Sequence, residues 1–208
     1  MKLIEIKSLD IPEIKVIRFA RFVDDRGYFA ESFRRSDMKK IDIFEDMEFV
    51  QQNESYSKEN VARGMHFQWN PYMGKLVRTI YGRMVDMFID IRKGSPTQGK
   101  IGMYDMPRTN DNNYDEWIWI PPGFAHGNYF TENTIIEYLC TGEYSQGCEA
   151  GISMYSNDLD YSLCDKKLKE EFDNINDKFV ITDKDRNAIE LRDWFDDERS
   201  DNFIYGKI

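Results

Sequence analysis

The sequence predicts an all-β domain, a sandwich or barrel of short strands. Three observations carry that reading. Segments rich in β-branched and aromatic residues recur through the first two thirds of the chain: KVIRFARFV, YFAESF, KLVRTIYG, RMVDMFIDIR, EWIWIP and TIIEYLC. Gly, Pro, Asn and Asp punctuate them, with few helical periods between. The third is size: 208 residues, 41% hydrophobic and 14% aromatic, suit one domain over the whole chain with a core that needs no staples.

In chain order, the first 19 residues alternate polar and apolar and lack the apolar core and cleavage site of a signal peptide. The one early helix is expected over residues 36–41, with Ser36 as its N-cap. In RMVDMFIDIR, Val85, Met87 and Ile89 face one way. Met84, Asp86, Phe88, Asp90 and Ile91 obey the alternation only partly, so this strand is expected to be covered on both faces. After Ser156 the composition turns acidic, with 15 Asp and Glu against 9 Lys and Arg over residues 157–208. This stretch reads as a helix-and-loop layer over the barrel, or as an acidic interaction tail. KKLKEEF within it has the oppositely charged three- and four-residue spacings of a helix.

A net charge of −10 leaves no global attraction for nucleic acid or an anionic membrane, although a local basic pocket stays open. No run approaches the roughly 18 apolar residues of a spanning helix. Cys140, Cys148 and Cys164 are odd in number and form no metal spacing, so reduced thiols in a cytoplasmic protein are expected.

There are two histidines, His66 in ARGMHFQ and His126 in WIWIPPGFAHGNYF. Each follows a glycine-containing turn and abuts an aromatic strand. An imidazole near neutral pH is a natural proton acceptor, and a carboxylate on its second nitrogen fixes its tautomer. Candidate carboxylates are abundant, and spacing alone selects none. A cupin-type metal site would need a second ligand where Gln68 stands, and two histidines undersupply zinc or iron. Arg26, Arg63, Lys75, Arg78 and Arg92 fall in or beside strand ends, where they suit a diphosphate or read as scattered surface charge.

Four blocks in order, DDRGYFAESF, FVQQNESYSKENVARGMHFQ, GKLVRTIYGRMVDMFIDIRKGSPTQGK and WIWIPPGFAHGNYF, resemble the dTDP-4-dehydrorhamnose 3,5-epimerase family over roughly residues 4–190. The resemblance implies a jelly-roll β-barrel of the cupin type, a homodimer with strand exchange, and neither metal nor organic cofactor. It implies inversion of C3 and C5 of a nucleotide-linked 4-keto-6-deoxy sugar, in deoxysugar biosynthesis of the rhamnose kind. By this resemblance His66 is the base, Asp185 its partner, Lys75 the stabiliser of the C4 oxyanion and Tyr138 the acid on the opposite face. Arg26 and Arg63 correspond to diphosphate-binding arginines. Glu31, Gln51, Gln52 and Asn53 correspond to base, ribose or phosphate contacts. His126, Tyr144, Glu149 and Lys184 match further substrate contacts, with Tyr144 stacking on the base. Arg26 or Glu31 is expected to serve the partner subunit's site. The chain departs from the family pattern at AHGNYF, at GISMYSNDLD, at residues 69–73 and at NNYDEW. These changes are expected to alter pocket walls rather than catalytic groups. A C3-only epimerase and a non-catalytic nucleotide-sugar-binding barrel stand as alternatives.

Overall fold

The computed structural model describes residues 1–208. In chain order the strands are β1 (Leu3–Ser8), β2 (Lys15–Ala20), β3 (Phe22–Asp24), β4 (Gly27–Phe29), β5 (Gln51–Ser57), β6 (Ala62–Gln68), β7 (Lys75–Tyr81), β8 (Arg83–Asp90), β9 (Ile101–Pro107), β10 (Tyr114–Ile120), β11 (Phe124–Phe130), β12 (Thr134–Cys140) and β13 (Glu149–Gly151). The helices are α1 (Arg35–Met38), α2 (Lys166–Ile175), α3 (Asp183–Arg186) and α4 (Leu191–Asp196). A six-stranded sheet in the order β1-β2-β10-β7-β12-β5 faces a five-stranded sheet in the order β13-β6-β11-β8-β9. The β3–β4 hairpin pairs only with itself. The architecture is the all-β jelly roll expected, with its helices short and mostly C-terminal.

Strand alternation explains the layering. Between the sheets, Val77, Ile118 and Ile136 meet Met84, Phe88 and Phe130 in one apolar cluster. The opposite faces of β6, β8 and β11 present Met65, Phe67, Val85, Met87, Ile89 and Ala125 to Phe172, Phe179, Leu191, Trp194 and Phe203 of the C-terminal segment. β8 is therefore buried on both faces, as its pattern predicts. The acidic last quarter is a packed layer with most of its charges exposed and Asp185 buried. Burying each large apolar side chain there contributes about 1.5–3 kcal/mol. On the outside of the six-stranded sheet, Ile17, Leu76, Trp117 and Trp119 are covered by Met38, Ile41 and Phe44.

The structure corrects two local expectations. Helix α1 starts one residue early, because Asp37 and Met38 both donate their N–H to Arg34 O, and it ends at Met38, three residues short of Ile41. That puts Ser36 inside the turn rather than at its cap. Only Gly27–Phe29 of the YFAESF region is strand. Glu31 beyond it pairs with the Met1 amino group and with Arg34. β5 and β9 carry no strand signal of the expected kind. QQNESYS is polar on both faces because its inner face meets a cleft instead of the core.

Candidate active site

The site begins where β6 and β11 are forced together. Gly64 has φ +110°, and a Cβ there would lie 2.5 Å from Gly127 Cα and 2.7 Å from His126 O. A Cβ on Gly127 would lie 2.5 Å from Arg63 O. Only glycine fits both places, which gives the ARGMHFQ and AHG motifs their physical reason. The two strands pair in register at His66 and His126, so both imidazoles face the same side of the sheet.

Each histidine has its own aspartate. His66 Nε2 lies 2.7 Å from Asp185 Oδ1. Asp185 sits in α3, where Thr182 Oγ1 accepts its backbone N–H, and its second oxygen accepts Gly64 N–H at 3.3 Å. Burial pushes this carboxyl upward, but the bonds to His66 and Gly64 outweigh it and hold Asp185 below the ordinary range. His126 Nε2 lies 2.7 Å from Asp86 Oδ2, and Asp86 is fully buried on β8.

The two histidines line a cleft of about 580 Å³ together with Arg63, Lys75, Tyr138, Lys184 and Asp185. A further lobe of about 230 Å³ shares His66, Lys75 and Tyr138 and extends to Gln51, Asn53, Tyr144 and Glu149. Lys75 opens β7, paired across the sheet with Cys140. Burial lowers its pKa, opposed by Cys140, Asp86 and Glu149. Burial also pushes the Tyr138 hydroxyl up, keeping it protonated as a proton donor must be. Arg63 donates to Ser57 Oγ at 2.9 Å and to the Tyr56 carbonyl at 3.3 Å. No carboxylate lies within 4 Å of Arg63 or Lys75, so both cations are available to an anion.

The rim is wired by polar side chains. Tyr144 N–H donates to Gln51 Oε1 at 2.8 Å, and Gln51 Nε2 donates to Asn53 Oδ1 at 3.1 Å. Glu149 Oε1 accepts from both the Tyr144 hydroxyl, at 3.0 Å, and Lys184 Nζ, at 2.9 Å. Gln68, which replaces a metal ligand of the cupin pattern, instead accepts Ser145 N–H and donates to the Glu143 carbonyl, fixing the loop that carries Tyr144.

The structure does not bring every expected residue here. Gln52 alternates to the other face of β5 and donates to Glu137. Arg78 pairs with that same Glu137 and with Asp115, and Arg92 pairs with buried Asp90 and with Glu13, so neither reaches the cleft. Arg26 projects from the β3–β4 hairpin with its side chain 90% exposed, and neither it nor Glu31 lines the cleft of its own chain. Trp69 and Tyr72 are not cleft walls either. They pack under the C-terminal layer against Trp194 and Phe203. Two departures do reach the cleft: Asn128 of AHGNYF lines it, and Met73 of residues 69–73 lines its further lobe. Sequence reasoning missed Asn128, Ser55 and Asp86. The one available signal was a charged residue, Asp86, flanked by apolar residues in the middle of β8. No three His, Cys, Asp or Glu side chains converge in a metal-holding arrangement.

The family model for dTDP-4-dehydrorhamnose 3,5-epimerase matches residues 8–193. The chain belongs to the dTDP-4-dehydrorhamnose 3,5-epimerase family. A family member from Sinorhizobium fredii is 40% identical over 149 residues, which is 70% of this chain and 73% of that protein. One from Methanothermobacter thermautotrophicus is 36% identical over 175 residues, 83% and 86% of the two chains. Among solved structures, the 3,5-epimerase of Legionella pneumophila in complex with dTDP-4-keto-L-rhamnose superposes with TM-score 0.75 at 31% identity, covering 90% of this chain and 93% of that one. The epimerase of Sulfolobus tokodaii superposes with TM-score 0.72 at 34% identity, covering 92% and 97%.

Proposed function

We propose that this epimerase-family chain inverts C3 and C5 of a dTDP-linked 4-keto-6-deoxy sugar. The observation that carries the proposal is the convergence of the His66–Asp185 pair, Lys75 and Tyr138 on one cleft. A hydrogen beside the C4 ketone is removable if the enolate is stabilised. His66 takes it, held in orientation by Asp185. Lys75 donates to the C4 oxygen as negative charge gathers there. Tyr138 returns a proton on the opposite face of the ring. Arg63 serves the diphosphate, and Tyr144 with Gln51 and Asn53 serves the nucleoside end. Once His66 has released its proton to solvent and Tyr138 has regained one from it, the second inversion repeats the cycle at the other carbon flanking the ketone.

We further propose a homodimer in which the β3–β4 hairpin carries Arg26, with Glu31 behind it, to the partner's cleft. Phe22, Val23 and Phe29 of that hairpin are 54%, 60% and 68% exposed, an apolar surface suited to a second copy. Three free cysteines support a reducing, cytoplasmic setting. The test is His66→Ala assayed with dTDP-4-keto-6-deoxyglucose in deuterated water. Loss of label at both carbons is expected, and near-normal exchange would overturn the assignment of the base.

A further inference from the structure

Asn128 of β11 lines the cleft, is 5% exposed, and has no role in the chemistry described so far. Its Oδ1 is buried with no hydrogen-bond partner. Ser55 Oγ of β5 is the other such atom among the cleft-lining residues. Buried polar atoms without partners are rare and cost free energy, so two of them on one cleft point to a hydrogen-bonding group of the ligand. Both stand at the Arg63 end. Asn128 is the register partner of Arg63 across β6, as His126 is of His66. Between those two pairs β6 uses three residues and β11 two, a bulge that turns Arg63 onto the side its neighbour His66 faces. His126 and Asn128 are two apart on one strand and face that same side. Ser55 lies two residues along β5 from Ser57, whose hydroxyl accepts from Arg63 Nε at 2.9 Å. One wall of the cleft thus runs from the His66–His126 pair to the Arg63–Asn128 pair within a single step of the sheet.

We propose that Asn128 is a specificity-determining residue that binds the hydroxyl on C2 of the sugar. The proposal rests on the epimerase reading, which gives the diphosphate to Arg63 and the two carbons beside the C4 ketone to His66. The diphosphate is carried on C1. C2 joins C1 to the reacting C3, so it falls between the two registered pairs. A 4-keto-6-deoxyhexose linked through C1 keeps hydroxyls only at C2 and C3. The C3 hydroxyl changes direction when its carbon inverts. The C2 hydroxyl keeps its configuration, so one fixed partner can hold it throughout the reaction. A hydroxyl both donates and accepts, and an Asn amide meets either need by turning its terminal torsion. Held at C2, the ring presents the neighbouring C3–H to His66 in one orientation. The ring oxygen, between C1 and C5, is the rival acceptor for the same amide.

The test pairs a change in the protein with a change in the sugar. Deuterium exchange at C3 is followed by NMR for dTDP-4-keto-6-deoxyglucose and for its 2-deoxy analogue. Each is given to the native chain and to Asn128→Leu, which keeps a similar side-chain volume without the amide. The native chain should favour the 2-hydroxy sugar by about 10–100-fold in kcat/KM. Asn128→Leu should lose about that factor, roughly 10–100-fold, on the 2-hydroxy sugar and less than about threefold on the 2-deoxy sugar, so that the preference collapses. The hydroxyl's own effect on C3 acidity is common to both proteins and cancels in the ratio. Should Asn128→Leu not fold, Asn128→Ala gives the same comparison. Equal losses on the two sugars, as a merely structural role or a bond to the ring oxygen requires, would overturn the proposal, and so would no loss on either. Exchange in the native chain with the 2-hydroxy sugar is the control. Its absence would overturn the epimerase reading, whereas exchange that falls equally for both sugars would overturn the assignment of Asn128 alone.

Discussion

Asp185 commits both carboxylate oxygens to the site, one to His66 and one to Gly64 N–H. Removing the charge while keeping the shape therefore weakens the base and loosens its orientation together. Asp185→Asn should lower kcat/KM about 10²–10⁴-fold in steady-state kinetics, and a loss under threefold would contradict the pairing. The same residue bears on stability. The folded-state pKa of Asp185 is depressed, as is that of Asp90, where burial is outweighed by bonds from Arg92, Ser95 and Thr97. Their contribution is present above the unfolded carboxylate pKa of about 4 and is lost as pH falls through the lowered folded values. Thermal melts should drop steeply below about pH 4, and less steeply in Asp90→Asn. Of the catalytic groups, the sequence marks His66 directly as one of two histidines, and Lys75 only through the family resemblance. The partner of His66 was legible only through family resemblance, because 38 acidic residues offer no local reason to choose Asp185.

The elements that place the site are β6 and β11, held close by Gly64 and Gly127. Gly127→Ala should force the strands apart, costing about 1–3 kcal/mol in thermal or denaturant unfolding and reducing exchange by displacing His126. Wild-type stability in that variant would mean that the close approach is not tight. Under the other face of the same sheet, Trp194 is fully buried against Phe67 and Phe203. Trp194→Ala should cost about 3–5 kcal/mol, read as a lower melting temperature. β8 and β10 were legible because they are apolar on both faces, and α2 because its charges recur at helical spacing. β5 was not, because a strand with a cleft on its inner face loses the alternation that marks a strand. Gln52 was misjudged for the same reason. Neighbours in sequence occupy opposite faces, so Gln51 and Asn53 enter the cleft while Gln52 leaves it.

For the whole molecule, a sandwich or barrel was legible from strand number and spacing, and the jelly roll from the family resemblance. Its assembly was not, because an exposed hairpin in one chain does not name what covers it. If Arg26 serves the partner's site, equal mixing of Arg26→Ala and His66→Ala subunits should restore about a quarter of wild-type turnover, since one composite cleft in each mixed dimer is intact. No restoration would place Arg26 outside catalysis in the partner. The central claim is that one cleft with one base and one acid works on both carbons beside the ketone. It is tested most directly by NMR of dTDP-4-keto-6-deoxyglucose incubated with the protein in deuterated water. The account predicts deuterium at both C3 and C5 with the native chain and at neither with His66→Ala. Label confined to C3, or label that survives loss of His66, would contradict it.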